Sequence, residues 1–531
     1  MKEQANLVTP AESDDPFRSF PEQLEQAAAD HPEKIAVVDG DRRVTWDEFQ
    51  RRVRLIAGRL KAAGIGANDK VAALAHNCAE YVELYAGTLH AGACMVPLSS
   101  MASGAALEGM LKDSDARVLL ASAKGRDALG EHIENLEQIR PEHRLALDFE
   151  AAGWRPFEDW VAESPGEAPP AEVQPEHHFN LIYSSGTTGT PKGILHDHRM
   201  RSRQLYRLAN YGYDADAVTM VATPLYSNTT LVSALPTLAG GGTLVLMAKF
   251  DEQRYLALCE RERVTHAMLV PVQYQRLLAY PDFDKYDLSS FRVKLSTSAP
   301  LRRSVIEDAN RRWPGFLGEI YGLTEGGVST LLDTRSFPDK LDSVGRPAEG
   351  VELKILDEDG NEAPSDSIGE IVGRAGAMMA GYYNRSDLTE DMIWRDGDGR
   401  VFFKTGDMGK LDEDGFLYIL DRKKDMIISG GFNIYAADLE AVLLKHPAVA
   451  DAAVIGIPSE RWGETPLGLV VRREGRDDSP EAICEWANEQ VGRNQRLAGI
   501  ELRDVLPRSS IGKVLKRELR DPYWQGRESK V

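Results

Sequence analysis

Cysteine is scarce: four thiols, Cys78, Cys94, Cys259 and Cys484, are scattered over 531 residues with no CxxC pair among them. That spacing excludes a disulfide framework and a structural zinc cluster, and it points to a reducing, cytoplasmic setting. Positive charge is also in deficit, with 63 Lys and Arg against 83 Asp and Glu and a net charge of -20. Such a balance excludes a general nucleic-acid-coating surface, so a polyanionic ligand would have to meet locally placed cations. Neither GxSxG nor HExxH occurs, which removes the serine-elbow hydrolases and the HExxH zinc peptidases. The first residues, MKEQANLVTPAESDDP, lack the apolar core of a signal peptide and read as a polar tail. A long run without formal charge, Ala217 to Ala248, contains Pro236, Gly240-Gly241-Gly242 and several Ser, Thr and Asn. A lipid-facing helix would leave that backbone unsatisfied, so the run is expected to fold as buried helix, turn and strand, with no integral membrane segment.

What is present is α/β patterning on a chain too long for one core. TWDEFQRRVRLIAGRLKAAGI precedes VAALAHN, and AEYVELYAGTLHAGA precedes MVPLS, an alternation of helical and short apolar segments that predicts substantial parallel sheet. Pro165 to Pro175 reads as a surface loop, and LDEDG at Leu411 to Gly415 as a hairpin turn before the strand FLYIL. The polar cluster Asp421-Arg422-Lys423-Lys424-Asp425 follows, and the domain boundary is placed there: 1–421 and 422–531. Beyond it a small α+β pattern has a helix near AADLEAVLLKH, strands near DAAVIGI and LGLVVRR, and a helix near PEAICEWANEQV.

The most informative segment is YSSGTTGTPKG, Tyr183 to Gly193, between a strand and a helix. Its glycines let backbone N–H groups approach an anion, its hydroxyls donate, and Lys192 can neutralise phosphate, yet the Walker A spacing is absent. Five more strings follow in order: YGLTEGG (Tyr321 to Gly327), SVGRP (Ser343 to Pro347), GEIVGR (Gly369 to Arg374), FKTGDMG (Phe403 to Gly409) and DRKKDMIISGGFNIYAADLE (Asp421 to Glu440). PRSSIGKVLKREL, Pro507 to Leu519, closes the series. Together they resemble the adenylate-forming superfamily of acyl-CoA synthetases, luciferases and peptide-synthetase adenylation domains, over most of the chain from about Phe20 to Arg520.

That resemblance implies a large multi-subdomain N-terminal domain with mixed sheets and a small, mobile α+β C-terminal domain pivoting near Lys424. It also implies ATP, Mg2+ and coenzyme A as co-substrates and cofactors, with a small carboxylic acid as substrate. Ser184, Ser185, Gly186, Thr187, Thr188, Gly189, Thr190 and Lys192 would cradle phosphate. Tyr321 and Gly322, with Ser298, Ala299 and Pro300, would form the adenine slot. Thr324 would bond the α-phosphate, Glu325 and Thr187 would hold Mg2+, Asp407 would accept the ribose hydroxyls, and Arg422 would reach ribose or phosphate. Lys513 would bridge the substrate carboxylate and the α-phosphate during adenylation, while the Gly430-Gly431 face would line the pantetheine path during thioester formation. Catalysis would thus rest on Lys513, Lys192, Thr324 and Glu325.

Acid selection is assigned, by motif placement, to Tyr226, Ser227, Asn228, Thr229 and Thr230, to Met268 through Tyr274, and to residues near Ser296 to Ser298. Ser227 cannot supply the aspartate that holds an amino-acid amine, which argues against amino acids. Leu225, Leu231, Met268, Leu269 and Val270 make the expected pocket apolar, favouring a medium- or long-chain fatty acid or an aryl acid. Two alternatives stay open, transfer to another acceptor such as a carrier-protein thiol and non-catalytic acyl or nucleotide binding; a homodimer is left open as well.

Overall fold

The uncharged run divides into strand Val218–Val221, helix Asn228–Ala239 with Pro236 inside it, and strand Thr243–Leu246. No helix among the described residues is long and apolar enough to cross a membrane. The computed structural model describes residues 16–184, 192–364, 366–423, 425–429, 432–492, 495–509 and 512–525. They form two compact units, one made of residues up to Glu352 with Gly373–Phe403, the other of Leu353–Val372 with Lys404 onward.

The first unit carries two large sheets. In the eight-stranded sheet, Cys94–Pro97 and Lys70–Leu74 run parallel at the centre, and His178–Ser184 lies beside Cys94–Pro97. Lys192–Asp197 then pairs antiparallel, and Gly381–Tyr382 forms the edge. The nine-stranded sheet is parallel from Ile35–Asp39 through Phe316–Gly322 and antiparallel at both ends. The central parallel strands are buried along their whole length, which is why they read as short continuous apolar runs.

Helices cover these sheets because their sequences supply apolar faces and clean starts. Helix Trp46–Ala62 begins at Thr45, whose hydroxyl accepts from the Glu48 N–H while the Glu48 carboxylate accepts from the Thr45 N–H. It packs on helix Ala79–His90 through Gly87, where a Cβ would meet Ile56 at 2.5 Å. Buried Glu83 on that second helix is matched by Arg42 at 2.7 Å and Arg52 at 2.9 Å. Leaving the Glu83 charge unpaired there would be costly.

In the second unit, a five-stranded sheet is built on the long hairpin Val449–Ser459 with Gly463–Arg472, and Gly499–Leu502 adds in parallel. Helices Ala436–Leu443, Pro480–Glu489 and Lys516–Trp524 accompany it. The expected turn at Leu411 to Gly415 is present: the Asp412 carboxylate accepts from the Asp414 and Phe416 N–H groups, and Gly415 takes φ +79°.

Candidate active site

In the first unit the ladder between His178–Ser184 and Lys192–Asp197 sets Ser184 opposite Lys192 and Tyr183 opposite Gly193. It therefore fixes where the phosphate loop leaves and returns. The loop itself, with Ser185, Gly186, Thr187, Thr188, Gly189 and Thr190, lies outside the described residues, as do the Ser184 side chain, Lys424, Gly430 and Gly431. At the loop's entrance the Tyr183 hydroxyl donates to Asp113 at 2.7 Å, and Arg385 meets the same carboxylate at 3.2 Å.

Lys192 faces a partner that the sequence motifs do not single out. Its ammonium lies 5.5 Å from the centroid of the Tyr382 ring, and the Tyr382 hydroxyl donates to Glu325 Oε1 at 2.9 Å. Tyr382 reaches this position because Gly381–Tyr382 pairs with the lysine's own strand, Tyr382 opposite Ile194. Burial and the adjacent Glu325 charge push its phenol well above the ordinary range, so it remains a neutral donor. The turn bearing Thr324 and Glu325 is tied to the segment before Tyr382: the Met379 N–H donates to the Glu325 carbonyl at 2.8 Å, and the Gly327 N–H to the Ala377 carbonyl at 3.1 Å. Gly326 and Gly327 take φ +74° and +77°, and a Cβ on Gly326 would stand 2.2 Å from the Ala377 carbonyl oxygen. From the other side, His196 Nε2 lies 2.7 Å from the Thr324 carbonyl oxygen.

This clamp suits a hard cation. No group of three or more His, Cys, Asp or Glu side chains that could hold a metal occurs among the described residues. Mg2+ is commonly held by one or two carboxylates plus substrate phosphates rather than by an all-protein cage, and a single fixed Glu325 fits that mode.

Tyr321 and Gly322 end the strand Phe316–Gly322, with Tyr321 half-buried and paired to Thr330. Ser298 sits in the left-handed region at φ +78°, and its hydroxyl is 3.0 Å from that of Thr229. Holding a non-glycine residue there costs on the order of 1–3 kcal/mol. The next turn is pinned by Glu319, whose Oε1 accepts from the Leu301 N–H at 2.8 Å. Burial pushes the Glu319 carboxyl up to about 8. Since the folded state then holds its proton more tightly than the unfolded chain, this group's stabilising contribution is full below about pH 4.5 and is lost as pH rises to about 8. Glu319→Gln keeps an acceptor for Leu301 but cannot ionise. Thermal melts should therefore coincide with wild type at pH 4 and show a variant more stable by a few kcal/mol at pH 8.5; parallel melts at both pH values would contradict it.

The structure joins two acid-selecting candidates, Thr229 and Ser298, by their hydroxyls, and leaves Asn228 Oδ1 buried with no hydrogen-bond partner among the described residues. Tyr226 and Ser227 are half-buried at the start of helix Asn228–Ala239. Met268 is buried against Val293 and Leu295. Leu225 and Leu231 turn into the core, where they line a small apolar cavity with Phe20 and Tyr85.

In the second unit, Asp407 and Arg422 stand opposite one another across a strand pair, with Arg422 Nε 3.1 Å from Asp407 Oδ1. The Asp407 N–H donates to Thr405 Oγ1, which fixes a nearly buried carboxylate. Half-buried Lys513 lies on a tight return: the Ser509 N–H donates to its carbonyl at 2.8 Å, its own N–H donates to Ser509 Oγ at 3.2 Å, and Gly512 takes φ +77°. Arg508 donates to the Gly512 carbonyl at 2.6 Å.

Tyr382, His196 and Glu319 escaped the sequence reading. The GYY string at Gly381 to Tyr383 and the HDH string at His196 to His198 were the signals available, but neither carries a spacing that specifies chemistry.

Residues 24–383 match the AMP-binding enzyme family, and residues 438–513 match the AMP-binding enzyme C-terminal domain. A fatty acid–[acyl-carrier-protein] ligase, ScoC of Streptomyces coeruleorubidus, is 31% identical over 95% of this chain and 96% of its own length. A feruloyl-CoA synthase of an Amycolatopsis species is 34% identical over 92% and 96%. The crystal structure of ATP-bound MatB from Rhodopseudomonas palustris superposes with TM-score 0.84 at 28% identity, covering 96% of this chain and 99% of MatB. With a large N-terminal and a small C-terminal domain, the chain belongs to the AMP-binding enzymes, the adenylate-forming superfamily of acyl-CoA synthetases, and is an AMP-forming acid–thiol ligase.

Proposed function

We propose that the enzyme joins an aryl carboxylic acid bearing a polar ring substituent to coenzyme A, with ATP and Mg2+. The observation that carries the adenylation step is the Lys192–Tyr382–Glu325 arrangement, a cation over one ring and a carboxylate hydrogen-bonded to the hydroxyl of the same ring. In the first half-reaction a substrate carboxylate oxygen bonds to the α-phosphorus and pyrophosphate leaves. Lys192 neutralises phosphate, Thr324 donates its hydroxyl to the α-phosphate, and Glu325 would hold Mg2+, which would supply charge neutralisation on the phosphates. Tyr321 stacks on adenine, Asp407 accepts from the ribose hydroxyls, and Lys513 stabilises the charge where carboxylate meets phosphate. In the second half-reaction a thiolate bonds to the acyl carbon and AMP leaves.

The acid pocket that motif placement assigns to Asn228, Thr229 and Ser298 would have a polar end, which favours an aryl acid over a fatty one. A saturated tail there would leave the Thr229 and Ser298 hydroxyls and the Asn228 carbonyl oxygen facing hydrocarbon, whereas a ring hydroxyl would supply that oxygen with a donor. Coenzyme A as acceptor draws support from the feruloyl-CoA synthase relative; the carrier-protein ligase relative keeps the second acceptor under test.

Pyrophosphate release over a panel of hydroxylated aryl, plain aryl and fatty acids, with and without coenzyme A, tests the reading. Release with the hydroxylated aryl acids and a coenzyme-A-dependent thioester support it. Preference for fatty acids overturns the substrate class, a thioester formed on acyl carrier protein alone overturns the acceptor, and no release with any acid overturns the reading as a whole. Residues 422–531 are proposed to turn about Lys424 between the half-reactions. Lys424→Pro should then leave pyrophosphate release near wild type and slow thioester formation roughly tenfold or more; equal loss of both would refute the pivot.

A further inference from the structure

Behind Thr324 lies a polar cluster for which neither packing nor the adenylation chemistry accounts. Arg201, His196 and Asn180 are all fully buried. The Arg201 guanidinium has no carboxylate partner among the described residues. It donates from Nε and Nη2 to Asn180 Oδ1 at 3.0 and 2.9 Å, from Nη1 to Gln204 Oε1 at 2.6 Å, and from Nη2 to His196 Nδ1 at 2.8 Å. Its charge also lies 5.8 Å from the Phe179 ring centroid. Burying a cation against neutral groups is costly, so stability alone gives little reason for it.

The donors fix the proton on the imidazole. Arginine only donates, so Nδ1 of His196 must be the bare, accepting nitrogen. Asn180 Nδ2 points at the same nitrogen from 3.1 Å, and Asn180 is the residue opposite His196 in the strand ladder. Nε2 must then carry the hydrogen, and its partner 2.7 Å away is the Thr324 carbonyl, an obligate acceptor. Burial and the Arg201 charge keep the ring neutral by pushing its pKa well below the ordinary value.

We infer that His196 is a positioning residue for adenylation: Arg201 and Asn180 lock it in the Nε2–H tautomer, and that N–H holds the Thr324 peptide so that the Thr324 hydroxyl and Glu325 carboxylate face the phosphates. This deepens the proposed function and rests on it. The geometry is specific, because His196 lies on the strand that begins with Lys192 and so ties that lysine's strand to the Thr324–Glu325 turn. The Met379 N–H grips the following carbonyl, so loss of His196 would free one side of a turn held on two. A displacement of about 1 Å can cost about 10² in rate.

Three substitutions separate the inference from simple packing. His196→Leu removes the donor at similar volume and should lower the kcat of pyrophosphate release by about 10- to 100-fold with little change in the KM for the acid. His196→Gln can set an amide N–H near the Nε2 position and should keep kcat within about fivefold, whereas His196→Asn reaches only the Nδ1 position and should fall with the leucine variant. If His196→Leu does not fold, the Gln and Asn pair still decides the matter. Nitrogen-15 NMR of the histidine rings, assigned with His196→Gln, should show a bare Nδ1 and a protonated Nε2 at pH 7, and Arg201→Gln should weaken that preference. A protonated Nδ1 in the wild type, or Asn and Gln variants of equal kcat, would overturn the inference. Wild-type pyrophosphate release in the same assays reports separately on adenylation, so the two readings fail in different ways.

Discussion

Lys513→Met is expected to lower acid-dependent pyrophosphate release by about 10² to 10³-fold, while AMP affinity, measured by calorimetry, should stay within a few-fold of wild type. The reason is electrostatic. A carboxylate and a phosphate, both anionic, must come within bonding distance, and a positioned ammonium offsets their repulsion at that moment more than it strengthens binding of either beforehand. Methionine keeps the apolar stem and removes the charge, so lost packing is a minor part of the effect. Lys513 is held by its described neighbours: Ser509 bonds both main-chain groups of the lysine, Gly512 is left-handed, and Arg508 joins the Gly512 carbonyl to Asp451. Arg508→Met should therefore slow adenylation through misplacement of Lys513, by less than Lys513→Met itself. Unchanged pyrophosphate release in Lys513→Met would remove the lysine from the chemistry.

Legibility from sequence followed the range of the interactions. The loop strings, with Lys192, Thr324, Glu325, Asp407 and Lys513, announce themselves because glycines, hydroxyls and charges crowd into a few consecutive residues. The uncharged run was readable for a similar reason: Pro236 and the three glycines punctuate it locally. Tyr382 was not readable. Its contact with Glu325 depends on the two-residue edge strand Gly381–Tyr382 pairing with Lys192–Asp197, a register set by sheet assembly far along the chain. Glu319 was hidden for a different reason: a strand position gives no sign that its carboxyl is buried and caps the Leu301 N–H. His196 looked like one of two histidines in a polar string, yet the strand alternation and the helix after it put it inside, against Arg201 and Asn180. Ser298 was assigned to the adenine slot by its place in the motif order, but nothing local in the sequence announces its left-handed backbone.

The Tyr382–Glu325 contact yields the second large effect. Glu325→Gln removes the charge that would hold Mg2+ and should lower pyrophosphate release by about 10² or more at any Mg2+ concentration, because a neutral amide is a poor ligand for a hard cation. Tyr382→Phe removes a single donor and leaves the ring beside Lys192. A hydrogen bond to a charged group contributes about 1.5–3 kcal/mol, so Glu325 should sample other rotamers and activity at limiting Mg2+ should fall roughly tenfold. Raising Mg2+ should then recover most of the Tyr382→Phe activity and none of the Glu325→Gln activity, since mass action can repopulate a displaced ligand but cannot restore a missing charge. The pair of titrations tells two roles for Tyr382 apart. If added Mg2+ fails to recover Tyr382→Phe, the phenol acts on the reacting phosphates or on Lys192 rather than through Glu325. If Tyr382→Phe matches wild type at every Mg2+ concentration, the 2.9 Å contact contributes nothing to holding the carboxylate.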